Sequence, residues 1–205
     1  MTDPNTSEPT YRERLRAKAL AIAAGIVEKD GLAALQARRV AREADCSVGT
    51  LYNVFGDMDG LVLALNQTTV RRLGEVLIRS FETSSSSPVE TRLTDLALAY
   101  MRFAHESLPL WRAVFEHRLP GGVDIPADYR SDQARLLALI ETIVAADITD
   151  EPLRRRAARA LFAAIHGIVH LALDQKLSDF DPEATEAEIR FIVSAVSNGL
   201  ARAQG

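Results

Sequence analysis

A single cysteine, Cys46, stands in a chain of 205 residues, so neither an internal disulfide nor a multi-cysteine zinc site can be built. No run reaches the roughly 18 apolar residues that a membrane span needs. The longest apolar stretch, Leu161 to Leu173, is interrupted by His166 and His170, which on this reading excludes a span. The opening residues MTDPNTSEPT hold neither a basic nor an apolar segment, so no secretory signal is expected. There is no strand-like alternation, no internal repeat and no phosphate-binding glycine loop. Together these absences favour a reducing cytoplasm and call for no cofactor and no membrane partner. What is present is 47% hydrophobic and 25% charged, enough for a sizeable core in one or two globular domains.

A net charge of −4 argues against a protein that coats nucleic acid, but the charge is unevenly spread. Residues 11–56 carry eight bases and five acids, whereas residues 57–205 carry sixteen bases and twenty-one acids. A small basic head therefore precedes a larger acidic body, a pattern compatible with a nucleic-acid-binding unit on a different kind of trunk.

Residues 1–10 show no apolar period and are expected to be a disordered tail. Beyond them the chain reads as all-α, with about nine helices. Leu15, Ala19, Ile22, Ala23, Ile26 and Val27 recur at helical spacing, predicting a helix near 11–29 that Gly31 closes. Two short helical patterns follow, 38–44 and 48–53, the second capped by Ser47. A longer helix should start after Asp57 or Asp59 and run to Phe81. Further patterns occupy 88–106, 109–118, 127–147, 152–177 and 182–203, most of them beginning at or beside a proline. The segment PGGVDIP, 120–126, is the clearest break, and a domain boundary is placed at residue 57, giving a head of 11–57 and a body of 58–205.

The segment ARRVAREADCSVGTLYNVF, Ala37 to Phe55, holds two helical pieces too short to stand alone. Val40, Ala41, Ala44, Val48, Leu51 and Tyr52 can close a small core with the first helix and Phe55. The pattern describes either a helix-turn-helix, with 48–53 placed to enter a major groove, or an ordinary helical hairpin within a bundle.

From about Arg12 to Leu65, and most specifically in VAREA and SVGTLYNVF, the sequence resembles the TetR/AcrR family of transcriptional regulators. The resemblance implies a DNA-binding head whose recognition helix is capped by Ser47. It implies that Val48, Gly49 and Thr50 face the groove, that Tyr52 reaches a phosphate, and that Asn53 touches base or backbone. Arg38, Arg39 and Arg42 would meet the phosphate wall. Departures from the family pattern occur at Asp45 and Cys46, where the turn usually has Gly and Val, and at Met58, where Lys is usual. Asp45 can adopt the left-handed conformation such a turn needs, and Cys46 is read as a small hydrophobe rather than a redox sensor. Met58 cannot bond a phosphate as Lys would, and Arg12, Arg14, Arg16 and Lys18 could compensate.

In the body, the helix 152–177 becomes apolar on nearly every face from Ala160 to Leu173. Such a helix must be buried all round. One face would lie in the core and another against a second subunit, with Ala163 and Gly167 allowing close approach. The last helix adds Ile189, Ile192, Val193, Val196 and Leu200, and in the resembled family the last two helices form the dimer interface. A ligand pocket is expected from Met101, Phe103, Trp111, Phe115 and Phe162, with His105, Arg112, His166 and His170 as polar anchors. The surrounding AAIHGIV resembles a C-terminal domain type of the family, with Ile165 where Trp is common.

The favoured reading is a homodimeric regulator, not an enzyme, that binds a palindromic operator in double-stranded DNA and is released by a small, largely apolar effector. The alternative is a small metal-dependent hydrolase using the four-apart pair His166 and His170. It lacks an evident third ligand and the catalytic Glu of an HExxH motif, since the segment reads HGIVH.

Overall fold

The computed structural model describes residues 10–119, 125–174 and 181–202, the last three by their backbone. Residues 1–9 of the expected tail, most of the break at 120–126 and the side chain of Leu200 lie outside the described residues, while Thr10, expected in the tail, belongs to the start of the first helix. Nine α-helices and no strand occur among those described: α1 (Tyr11–Asp30), α2 (Ala37–Ala44), α3 (Val48–Phe55), α4 (Met58–Thr83), α5 (Val89–Glu106), α6 (Leu108–Glu116), α7 (Ala127–Val144), α8 (Glu151–Leu173) and α9 (Pro182–Arg202). A 3-10 turn, Leu32–Ala34, follows α1 and has no counterpart in the expectation.

Local chemistry accounts for the helix ends. Thr10 and Glu13 form a reciprocal capping box at the start of α1. At its end the Gly31 N–H donates to the Val27 carbonyl with φ +80°, a backbone setting that favours glycine. Asp45 takes the left-handed conformation (φ 60°, ψ 49°) in the turn after α2. Ser47 then caps α3, its Oγ accepting from the Thr50 N–H at 3.0 Å. Asp57 accepts from the Gly60 N–H in the first turn of α4 (2.8 Å). Pro88 and Pro126 stand just ahead of α5 and α7, and Asp150 caps α8 by accepting from the Leu153 N–H.

The described chain divides into two compact units, 10–69 with 109–119 and 70–108 with 125–202. The first unit is built on a buried cluster in which α1 supplies Ala19, Ala23, Ile26 and Val27 and α2 supplies Val40 and Ala41. Leu51 is the only fully buried side chain of α3. The unit reaches past the expected boundary at 57 because the first turns of α4 add Leu61, Val62 and Leu65 to the same cluster. It also takes in α6 from Pro109 onward, which the sequence assigns to the body, through Leu110 and Ala113. Asn66 of α4 donates to the Ala113 carbonyl (3.1 Å), and Asp59 pairs with His117 (2.9 Å).

In the second unit α5 packs against α7, α8 and α9, and α8 packs against α7 and α9. Helix α8 buries only the stripe Ala158, Leu161, Ile165 and Val169. The burial expected on every side is thus met on one face within the chain. By length and composition α8 is apolar enough to cross a membrane, with mean hydropathy 1.2 over 18 residues, contrary to the exclusion drawn from its two histidines. A single helix of this composition is weak evidence of a span, since core helices of soluble proteins also have it.

Candidate nucleic-acid interface and effector cavity

Helix α3 has eight residues, too few to persist without tertiary anchoring. Leu51 supplies the anchor, and the residues around it divide by face. Gly49 and Asn53 are exposed, while Val48, Thr50 and Tyr52 are half-buried. A Cβ on Gly49 would meet only Ser47 Oγ at 3.7 Å, so the fold does not require glycine there. At the helix start Ser47 and Gly49 are exposed, and the Thr50 N–H is taken up by the Ser47 cap. Thr50 Oγ1 lies 2.8 Å from Ser47 Oγ, so the hydroxyl expected to bond DNA also closes the cap.

The three arginines of α2 differ. Arg38 is exposed. Arg39 is drawn into pairs with Asp30 (2.7 Å) and Glu43 (3.2 Å), contacts that hold its guanidinium above the ordinary arginine range. Arg42 is 74% exposed, with Glu43 no nearer than 3.8 Å. On α1, Arg12 donates to the Asn53 carbonyl and Arg16 lies over the Phe55 ring.

The second unit encloses an apolar cavity of about 50 Å³ bounded by Leu73 and Leu77 of α4, Leu96 and Tyr100 of α5, Ile140 of α7 and Phe162 of α8, among others. Of the expected pocket residues only Phe162 lines it. His166 does not line the cavity but contacts two residues that do, sharing a 2.7 Å hydrogen bond with the Tyr100 hydroxyl and stacking on Phe162, and it stacks also on His170. Burial, then the neighbouring His170, lowers the His166 pKa from its ordinary value. Phe103 lines a separate polar hollow of about 510 Å³ between α4 and α5, with Arg79, Asp95 and Arg102. Met101 is half-buried and His105 exposed. Trp111, Arg112 and Phe115 belong to the first unit, where α6 is held by buried Leu110, Trp111 and Ala113. The residues expected to line one pocket are thus divided between the two units, and within the second unit between two hollows.

Residues 19–65 match the family model of bacterial regulatory proteins of the tetR family, and residues 93–196, half of the chain, match that of the tetracyclin repressor-like C-terminal domain. The chain belongs to the TetR family. A protein of unknown function from Rhodococcus sp. RHA1 is 28% identical, with 98% of this chain covering 100% of that one at a TM-score of 0.75. Two further structures share the fold. One is a TetR transcriptional regulator from the same organism (20% identity, 89% and 96% of the two chains, TM-score 0.60). The other is the multidrug binding protein EbrR complexed with imidazole (22%, 88% and 93%, TM-score 0.64). No curated protein matches the sequence.

As a TetR-family member the chain is a DNA-binding transcriptional regulator and not an enzyme. Nothing in the geometry favours the hydrolase reading. Among the described residues no three His, Cys, Asp or Glu side chains gather as a metal site. His117 pairs with Asp59 in the first unit, while His166 and His170 stack in the second.

The residues expected at a subunit interface separate in this TetR-family chain. Ile189 and Val193 are fully buried in its own core, so they cannot meet a partner, a correction to the sequence reading. Ala163 is exposed, and Gly167, Ile192 and Val196 are half-buried. The sequence reading missed Phe191, 69% exposed on α9, and Leu171 on α8. Counting positions around each helix from the buried stripe would have found both.

Proposed function

We propose that the chain is a cytoplasmic homodimeric repressor whose paired α3 helices enter successive major grooves of a palindromic operator. The observation that carries the reading is the start of α3, where an exposed Gly49 that the fold does not require lies beside the exposed Ser47 cap. A backbone without a Cβ can approach the DNA closely, Val48 suits a thymine methyl, and Thr50 and Asn53 suit base edges or phosphates. Tyr52 reaches a phosphate, and Arg38 and Arg42 lie on the phosphate wall. The outward stripe of Ala163, Gly167 and Leu171 on α8, with Phe191 and Ile192 on α9, supports pairing of two copies.

The effector, small and largely apolar, enters the leucine-lined cavity and uses the Tyr100 and His166 pair as its polar anchor. At about 50 Å³ the cavity is far below the roughly 300 Å³ where ligand sites begin. Entry must therefore spread the helices around it. Helix α4 carries both Leu73 and Leu77 of the cavity and Leu61 and Leu65 of the head core, so spreading alters the head's setting. The test is a footprint on DNA upstream of the chain's own gene, with sedimentation of the free protein. A protected two-fold site and a dimer are expected; a monomer that protects nothing would overturn the reading.

A further inference from the structure

An α-helix leaves its last four carbonyls without partners inside the helix. In α3 the Tyr52 carbonyl accepts from the Gly56 N–H at 2.7 Å, and the next, that of Asn53, accepts from Arg12 Nη2 at 3.1 Å. One turn further along α1, the Arg16 guanidinium lies over the Phe55 ring, 5.5 Å from its centroid. Both cations stand at the negative end of the α3 dipole. Arg12 is itself steadied, because the capping box of Thr10 and Glu13 fixes the first turn of α1. Helix α3 has one fully buried side chain, Leu51, and half-buried Val48 and Phe55 pack against the same core, so the apolar hold on its last turn is only partial. Val48 seats the first end on the core, and at the second Arg12 and Arg16 of α1 add a polar hold to Phe55.

We propose that Arg12, supported by Arg16, is a positioning residue of the DNA interface: it aims the recognition helix by gripping its last turn and does not neutralise a phosphate. This replaces the phosphate role that the sequence suggests for the basic residues of α1, and it rests on the reading of α3 as the recognition helix. A phosphate contact acts through charge on any duplex, and removing one flattens the slope of log affinity against log salt by about 0.9. A positioning contact acts through geometry, so its loss falls on the preferred duplex alone.

The experiment uses the full-length protein and a duplex selected by it from a random pool, with a scrambled duplex of equal length. Affinities are measured across salt for wild type, Arg12→Ala and Arg12→Lys, and hydrogen exchange is followed at the Gly56 amide. For Arg12→Ala the expected result is a roughly three- to tenfold loss on the selected duplex, the size of one hydrogen bond. Binding to the scrambled duplex and the salt slope should be unchanged, and Gly56 exchange faster. Arg12→Lys keeps the charge but not the planar reach of the guanidinium, so the loss should persist. Equal loss on both duplexes with a flatter slope, or recovery by Lys with Gly56 exchange unaltered, would overturn the proposal alone. A wild type that does not tell the two duplexes apart would overturn the recognition-helix reading and the proposal with it.

Discussion

Two glycines near the recognition helix do opposite work. A Cβ at Gly60 would lie 1.9 Å from the Phe55 carbonyl oxygen, a backbone atom that cannot step aside, whereas at Gly49 the nearest atom is a side-chain oxygen at 3.7 Å. Gly60→Ala should therefore lower stability by about 1–3 kcal/mol, as overpacking does. Gly49→Ala should leave the melting temperature unchanged and weaken DNA binding several-fold. Melting curves beside gel-shift titrations separate the two, and unaltered DNA binding in Gly49→Ala would remove the close approach from the proposed interface. The arginines of α2 offer a similar contrast. Arg42 is exposed and only loosely paired, so Arg42→Ala should flatten the salt slope of DNA binding by about 0.9 for each phosphate that Arg42 neutralises. Arg39 is already committed to Asp30 and Glu43, and Arg39→Ala should change the slope less.

Helix α8 shows how one element serves three neighbourhoods. Its buried stripe holds the core, the side bearing Phe162 and His166 borders the cavity, and its outer side carries Ala163, Gly167 and Leu171. Because burial and His170 disfavour the charged imidazole, the folded chain binds a proton at His166 at lower pH than the unfolded chain, whose histidine has a pKa near 6.5. The unfolded state thus takes up the proton first. The stability contributed by neutral His166 is complete above that value and is lost as pH falls below it. Thermal melts from pH 7.5 to 5.5 should fall less steeply in His166→Gln than in wild type; parallel curves would show that folding does not lower the His166 pKa. Helix order and most ends were legible in the sequence because they rest on local signals: apolar spacing, prolines, Ser47 as a cap and Asp45 in the left-handed region. The packing of α6 into the head was not, since Leu110 and Ala113 look like any apolar pair until a distant α4 is placed beside them. The cavity escaped for a related reason. Aromatic and histidine residues stand out in a sequence, but the walls here are mostly leucines and isoleucines that differ in no local way from core.

At the scale of the whole molecule, the open question is what covers the outer stripes of α8 and α9. A two-fold regulator must hold its recognition helices about 34–36 Å apart to meet half-sites one duplex turn from each other, so pairing is a condition of specific binding. Phe191 is 69% exposed and Ile189 fully buried on the same helix, which lets assembly be tested apart from folding. Phe191→Asp places a charge where a partner would sit, at a side chain that is 69% exposed in the single chain. Sedimentation should find it folded and monomeric. Gel shifts should show operator affinity lost while weak, salt-sensitive binding to any duplex remains, since each head keeps its own cations. Ile189→Asp should instead unfold the chain, because a carboxylate would be buried without a partner. If Phe191→Asp remains a dimer at micromolar concentration and binds the operator as wild type does, the two copies meet on another face.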